Sequence, residues 1–154
     1  MVYLAPRINK QFLIKWSYLG VLLIGVISYP FLRFFDWVNP LFLIHVIVLS
    51  LFFSFTSINY NLLLGTENIK AYNLIQNMQT FIQVVALITL FSGFLEKNIS
   101  AYILSMYIAY ISTFVTSCFF VWKIIKNDKQ PYSFRKDIKT MFNYGFLNQL
   151  SVLI

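Results

Sequence analysis

A cluster of side-chain amides between residues 72 and 83 is the part of this sequence best placed to bind a polar ligand. The stretch reads YNLIQNMQTFIQ and lies in a chain that is 59% apolar. An amide donates and accepts hydrogen bonds, so the cluster can bind a neighbouring helix or line a hydrated cavity. On a helix that turns about 100° per residue, five polar residues fall within an arc of about 120°. They are Asn73, Gln76, Asn77, Thr80 and Gln83.

Both interpretations of this polar arc are open at the level of sequence. Amides that bond across to another helix contribute about 0.6 to 2 kcal/mol each in a membrane, whereas polar groups at membrane depth are otherwise tolerated where they meet water. The preceding apolar block offers partners for a polar hairpin: Ser54, Thr56, Ser57, Asn59, Tyr60 and Asn61. The candidate substrate-path residues are therefore Asn59, Tyr60, Asn73, Gln76, Thr80 and Gln83.

Catalytic and metal-binding chemistry has no candidate set of residues in this sequence. The carboxylates all lie in or beside predicted loops: Asp36, Glu67, Glu96, Asp128 and Asp137. No combination of Ser, His and Asp converges, and the single Cys118 has the spacing of neither a disulfide framework nor a metal site. We predict a protein that is not an enzyme and that uses no cofactor or metal.

His45 stands alone in the run LIHVI, near one end of an apolar block. An imidazole titrates near neutrality, so a histidine within a membrane can relay protons. It can equally extend its ring to the interface or make a structural hydrogen bond. An interfacial position or a structural hydrogen bond is favoured over proton relay for His45.

The composition indicates that these residues are positioned inside a bilayer. A soluble domain carries about 25% charged residues, whereas this chain carries 11%, with 17 Phe and 10 Tyr. Four blocks are each long enough to cross about 30 Å of hydrocarbon as a helix. They run from about Phe12 to Phe35, Pro40 to Leu64, Ile69 to Leu95 and Ile99 to Ile125. The loops between them are short, which predicts an all-α polytopic membrane bundle of antiparallel hairpins, with Gly65 ending the second helix.

The basic residues predict an orientation, because Lys and Arg in short loops are retained on the cytoplasmic side. Ten of them share one side: Arg7, Lys10, Lys15, Lys70, Lys123, Lys126, Lys129, Arg135, Lys136 and Lys139. Arg33 and Lys97 lie on the other side. The amino terminus and residues 123–139 are therefore predicted to be cytoplasmic. The net charge of +7 then reflects topology and attraction to anionic lipid, and no nucleic-acid partner is predicted.

The last part of the chain divides into two segments. Residues 126–142 have linker composition followed by a basic amphipathic pattern, with Phe134, Ile138, Met141 and Phe142 on one face, which is typical of an interfacial helix. Residues 143–154 begin a fifth apolar run that is too short to cross a membrane. We therefore expect the sequence to be a fragment of a longer protein.

Small side chains recur at every fourth position of the fourth block. They are Ala101, Ser105, Ala109, Thr113 and Ser117. Such a ridge lets another helix approach closely, so packing is favoured over a functional groove. Three tyrosines flank the ridge and are expected to face protein, because buried hydroxyls need partners: Tyr102, Tyr107 and Tyr110.

Two segments carry a resemblance to a known family. The run NYNLLLGTENIKAYNLIQNMQTFIQ, residues 59–83, resembles a helix hairpin of bacterial polysaccharide and O-antigen flippases, with a Gly-containing turn, a Tyr-Asn pair and an amide-rich helix. The run SFRKDIKTMFNYGFLNQLSVLI, residues 133–154, is similar to the start of their second half. Leu147 departs from the pattern, since many relatives have Pro there.

The resemblance implies a bacterial inner-membrane transporter of the multidrug and oligosaccharidyl-lipid exporter superfamily, in which two six-helix lobes move a polyprenyl-pyrophosphate-linked oligosaccharide by alternating access. Residues 1–125 would be helices three to six of one lobe, followed by the linker and the start of helix seven. The rest of the transporter and the lipid bilayer would be its partners. Lys70, Arg135 and Lys136 are candidate contacts for the pyrophosphate by charge and side alone.

Two other classes of protein compete with this interpretation. A membrane-embedded polymerase or acyltransferase of the same pathway would need ionisable groups held at the membrane edge, which these short loops supply poorly. A noncatalytic packing subunit fits the composition but leaves the basic linker and the fifth apolar run without a role.

Overall fold

Four long helices make up most of the described chain, which comprises residues 2, 4–6, 8–93, 99–128, 137–141 and 143 of a computed structural model. The helices are Lys10–Phe34 (α1), Pro40–Gly65 (α2), Ile69–Gly93 (α3) and Ile99–Lys126 (α4). All four are long and apolar enough to cross a membrane. The all-α polytopic architecture is therefore confirmed, and the described residues include no strand.

The first two helices begin at asparagine caps. The side chain of Asn9 accepts a hydrogen bond from the backbone N–H of Phe12 at 3.2 Å, and Asn39 accepts one from the N–H of Leu41 at 3.0 Å. Pro40 follows at a position where a missing N–H has no cost. Since α1 starts at Lys10, slightly before the predicted Phe12, Lys10 lies in the first turn of the helix.

The helices lie side by side in the order α1, α2, α4, α3. α1 packs on α2, α2 packs on α4, and α4 packs on α3, whereas the sequence neighbours α2 and α3 touch far less. The central position of α4 matches its ridge of small residues. Four of them are fully buried, which confirms the packing interpretation: Ser105, Ala109, Thr113 and Ser117.

The apolar core is concentrated at one end of the helices, which we call the basic end. Here α1 and α3 begin and α2 and α4 end, and its lysines are Lys10, Lys15, Lys70, Lys123 and Lys126. Side chains from all four helices and from the chain before α1 are buried together there, including Ala5, Leu13, Leu62, Ile75 and Val121. Towards the opposite end α1 is largely uncovered, with Val26 71% exposed. That apolar surface suits contact with lipid.

The connection between α2 and α3 uses Gly65 for close packing. A Cβ at Gly65 would lie 2.7 Å from both the Ala5 Cβ and the Val2 carbonyl oxygen. The positive φ of the connection belongs instead to Glu67, at 57°. The prediction that a glycine ends α2 is confirmed. Glycine is needed at this position because the segment with Val2 and Ala5 passes too close for a side chain, and not because of the backbone angles of Gly65.

Gly65→Ala is expected to lower the free energy of unfolding by about 1 to 3 kcal/mol, the usual cost of overpacking, because the backbone at Val2 would have to move away. Gly20→Ala is the matched control. A Cβ at Gly20 meets nothing within 4 Å, so alanine there should leave stability unchanged or raise it by up to about 1 kcal/mol. Unfolding by SDS in mixed micelles measures both. Equal changes in unfolding free energy for Gly65→Ala and Gly20→Ala would contradict the close contact between Gly65 and the segment at Val2.

A short helical segment covers residues 137–141. Met141 packs against the core at the basic end, while Ile138 is 40% exposed and Asp137 is buried. The segment is helical, as its pattern predicts, but Ile138 and Met141, which were predicted to share one apolar face, differ in burial. Phe134, Arg135, Lys136 and Phe142, and the fifth apolar run 146–154, lie outside the described residues.

Candidate functional site

The polar arc of α3 lies on the outer surface of the four-helix unit. Asn73, Gln76, Asn77 and Thr80 are exposed, and Gln83 is half-buried. We call these five residues the amide face. The side chains of the first four make no hydrogen bond with any other described residue. A polar strip thus occupies two successive turns of a helix that can cross a membrane, and nothing in the described structure covers it.

The polar contact between α2 and α3 is smaller than the predicted hairpin. The Tyr60 hydroxyl donates to Oε1 of Gln79 at 3.3 Å, and the Tyr60 ring packs edge-on against Tyr72 with centroids 5.6 Å apart. Gln79 lies beside the amide face and is not part of it. α2 packs mainly on α1 and α4, and among the described residues Tyr60–Gln79 is the side-chain hydrogen bond that joins α2 to α3.

Asn59 joins three helices and is separate from the amide face. Its side chain is 0% exposed. Its Oδ1 accepts a hydrogen bond from the Tyr18 hydroxyl at 2.7 Å, while its Nδ2 donates to Oγ of Ser117 at 2.8 Å and lies 3.6 Å from Sγ of Cys118. We call these four residues the Asn59 cluster. Asn59 is thus a buried link between α1, α2 and α4. The sequence analysis placed it among the substrate-path candidates, but in the structure its side chain contacts protein.

The sequence carried an incomplete signal for the Asn59 cluster. Ser117 was identified as a member of the small-residue ridge, and an amide within an apolar helix requires a partner. Tyr18 was missed altogether. It lies 41 residues before Asn59, and periodicity along one helix does not identify the helix that it faces.

A groove of about 490 Å³ separates α2 from α4 towards the opposite end. We call it the α2–α4 groove. Its lining includes Phe42, His45 and Phe53 from α2 and Ile99, Met106 and Tyr110 from α4. Tyr102 also borders it and is 45% exposed, so the expectation that this tyrosine faces protein is wrong for the described chain.

His45 is held by a structural hydrogen bond at the side of this groove. Its Nδ1 lies 3.0 Å from the Tyr107 hydroxyl, and the two rings meet edge-on with centroids 5.8 Å apart. The alternative of a structural bond thus describes His45 in this structure.

The charged candidates surround the basic end. Lys70 is exposed in the first turn of α3, and on a helix it shares a side with Asn73 and Asn77, three and seven positions on. Arg135 and Lys136 lie outside the described residues. Within the described ranges, no group of three His, Cys, Asp or Glu side chains is placed to hold a metal ion.

The fold and the amide face define a multi-pass α-helical membrane protein with a polar strip on one exposed helix. Comparisons with protein-family models, curated proteins and solved structures found no match to this chain.

Proposed function

We propose that this chain belongs to a transporter that moves a lipid-linked oligosaccharide across the membrane, with the amide face of α3 lining the route of the sugar. The observation that carries the proposal is the exposure of Asn73, Gln76, Asn77 and Thr80 on a helix able to cross a membrane. Polar groups at that depth require water, a polar ligand or a partner helix. The resemblance of residues 59–83 and 133–154 to polysaccharide flippases supports the choice of a sugar.

The chemistry of the amide face suits a sugar better than an ion. Amides and a hydroxyl both donate and accept hydrogen bonds, as the hydroxyl groups of a sugar do, and they carry no charge that would hold the ligand too tightly to release. From Asn73 to Thr80 the helix rises about 10 Å. A strip of that length gives several successive contacts and no single deep pocket, which is what a translocation route requires.

The charges of the basic end would attract the pyrophosphate that links sugar to lipid. Lys70 is exposed next to the amide face, and a cluster of lysines raises the local concentration of anions. In this proposal the basic end faces the cytoplasm, in keeping with the distribution of Lys and Arg. Rocking of two lobes about the sugar then gives alternating access, while the lipid chain stays in the bilayer.

The double variant Gln76→Leu, Thr80→Val tests the proposal in cells that depend on the full-length protein. Both changes keep the approximate side-chain volume and remove polar groups from exposed positions. We expect export of the oligosaccharide to fall at least about tenfold, corresponding to about 1.4 kcal/mol. Lipid-linked oligosaccharide should accumulate on the cytoplasmic side while surface polysaccharide is lost.

The matched control is Phe81→Leu, Val84→Ile, which changes exposed apolar residues on the same helix. This variant should export normally. Gel filtration in detergent verifies that each variant is folded. Full export by the folded Gln76→Leu, Thr80→Val variant would assign the amide face to helix packing and refute the proposed route.

A further inference from the structure

The chain before α1 packs across the basic end of the bundle. We call its described residues 4–6 and 8–9 the strap. Its apolar side chains are buried, with Leu4 8%, Ala5 0% and Ile8 1% exposed. They belong to the same buried cluster as Leu62 of α2 and Ile75 of α3. The strap therefore covers part of the apolar core at the end of the bundle that the lysines place at the membrane surface.

The strap is held on two sides. On one side Ala5 packs so closely on the end of α2 that a Cβ at Gly65 would lie 2.7 Å from its Cβ. On the other side the strap leads into Lys10, whose Nζ lies 2.8 Å from Oδ1 of Asp128 and whose backbone N–H donates to Oδ2 of Asp128 at 2.8 Å. Asp128 is itself fixed to the end of α4, because its N–H donates to the carbonyl oxygen of Ile125 at 3.0 Å.

Burial of side chains does not by itself fix the strap in place. Ordering a segment of this length costs conformational entropy of the same order as the gain from burying one Leu, one Ile and one Ala. The contact between Lys10 and Asp128 shifts this balance, because an ion pair that is shielded from water and shares a second hydrogen bond is stronger than a surface pair. The side chains of Lys10 and Asp128 are both largely shielded from water. Closure of the strap therefore depends on this contact.

We propose that the strap is a movable cover of the basic end and that the contact between Asp128 and Lys10 is the latch that keeps it closed. Separation of these two residues releases the strap and the first turn of α1, and water then reaches the apolar core at the basic end. α2, α3 and α4 keep their packing on one another. Any movement that draws Asp128 away from α1 thus opens the strap. This inference goes beyond transport and requires only that the basic end meets water.

Hydrogen–deuterium exchange of the full-length protein in detergent micelles, followed by mass spectrometry, tests the latch. Backbone amides of the strap and of the first turn of α1 are hydrogen-bonded in the closed state: Ile8 to the Leu4 carbonyl, Phe12 to Asn9 Oδ1 and Leu13 to the Asn9 carbonyl. Their exchange requires opening. Asp128→Asn keeps the side-chain volume and removes the charge, so we expect these amides to exchange at least about tenfold faster. Unchanged exchange would overturn the proposal.

Two controls separate opening of the strap from a general loss of stability. Lys126→Ala removes an exposed charge from the same end and should leave exchange of the strap unchanged. Amides of residues 55–63 in α2 should exchange equally in Asp128→Asn and in the unaltered protein. Equal acceleration in this part of α2 would refute a separately moving strap. Exchange of the strap in the unaltered protein as fast as in an unstructured peptide would refute its closure.

Lys10→Met gives a second measurement of the same contact. It should also raise exchange of the strap at least about tenfold, and combination with Asp128→Asn should raise it no further than the larger single effect, because both changes break one contact. Multiplied effects would refute the latch. Since exchange needs no transport, failure of the proposed transport function would leave these results unchanged.

Discussion

Asp128→Ala is expected to lower the free energy of unfolding by about 3 kcal/mol, the lower end of the range for removal of one partner of a buried ion pair. Asp128 Oδ1 lies 2.8 Å from Nζ of Lys10, and the two side chains are 3% and 16% exposed. Asp128 Oδ2 also accepts the backbone N–H of Lys10 at 2.8 Å. Alanine therefore removes the counter-ion of Lys10 and an acceptor for the first turn of α1.

A double-mutant cycle with Lys10→Met separates the ion pair from the backbone bond. We expect a coupling energy of about 1 kcal/mol or more, and a smaller loss for Asp128→Asn, which keeps an acceptor for the N–H of Lys10. SDS unfolding in mixed micelles gives all four values. Lys126→Ala is the control, because Lys126 is exposed at the same end and its removal should change stability by less than about 0.5 kcal/mol. Purely additive single effects would show that the ion pair contributes nothing.

Asn59→Leu is also expected to lower the free energy of unfolding by about 1 to 3 kcal/mol, because two interhelical hydrogen bonds are lost together. Leucine has a similar volume but leaves the Tyr18 hydroxyl and Ser117 Oγ without the amide to which they bond at 2.7 and 2.8 Å. These groups are at a depth where water is scarce, so the bonds are not replaced.

Ser117→Ala and Thr113→Val form a matched pair for the Asn59 cluster. Both residues are fully buried on α4. Each hydroxyl donates to a carbonyl oxygen of its own helix, Ser117 to Phe114 at 2.8 Å and Thr113 to Ala109 at 2.7 Å. Ser117 Oγ in addition accepts a bond from Asn59 of another helix. Ser117→Ala should therefore cost more than Thr113→Val, and combining it with Asn59→Leu should add little further loss. Equal losses of unfolding free energy for Ser117→Ala and Thr113→Val would show that the hydrogen bond between Asn59 and Ser117 does not contribute to stability.

The helices could be predicted from the sequence because the residues that start each helix and form its buried face lie close together along the chain. Pro40 follows a capping Asn39 at the observed start of α2, and the recurrence of Ser105, Ala109 and Thr113 identifies a buried face without a known partner. Short loops then require antiparallel sequence neighbours. In this way the helix bounds, the membrane-spanning class and the packing ridge were all predictable.

Pairings between distant segments were not predictable by these means. Lys10 and Asp128 are 118 residues apart, and each looked like a loop charge. The polar residues of α3 do lie on one side of the helix, as predicted. Helical periodicity predicts the side on which a residue lies, but it does not predict which helix packs against that side. One of the two open interpretations placed the polar arc against a neighbouring helix, with α2 offering partners; the amide face points outward instead, because α4 lies beside both helices.

The placement of α4 next to both α2 and α3 also constrains the order in which the chain can assemble. As helices enter a bilayer in sequence, α3 arrives directly after α2, and the two are tied by a connection of only three residues between Gly65 and Ile69. Their final neighbour has not yet been synthesised. The ridge from Ser105 to Ser117 can be buried only when α4 enters, and the Asn59 cluster closes at the same moment. The packing of α3 into the bundle therefore depends on α4, whereas α1 can pack on α2 before α4 enters.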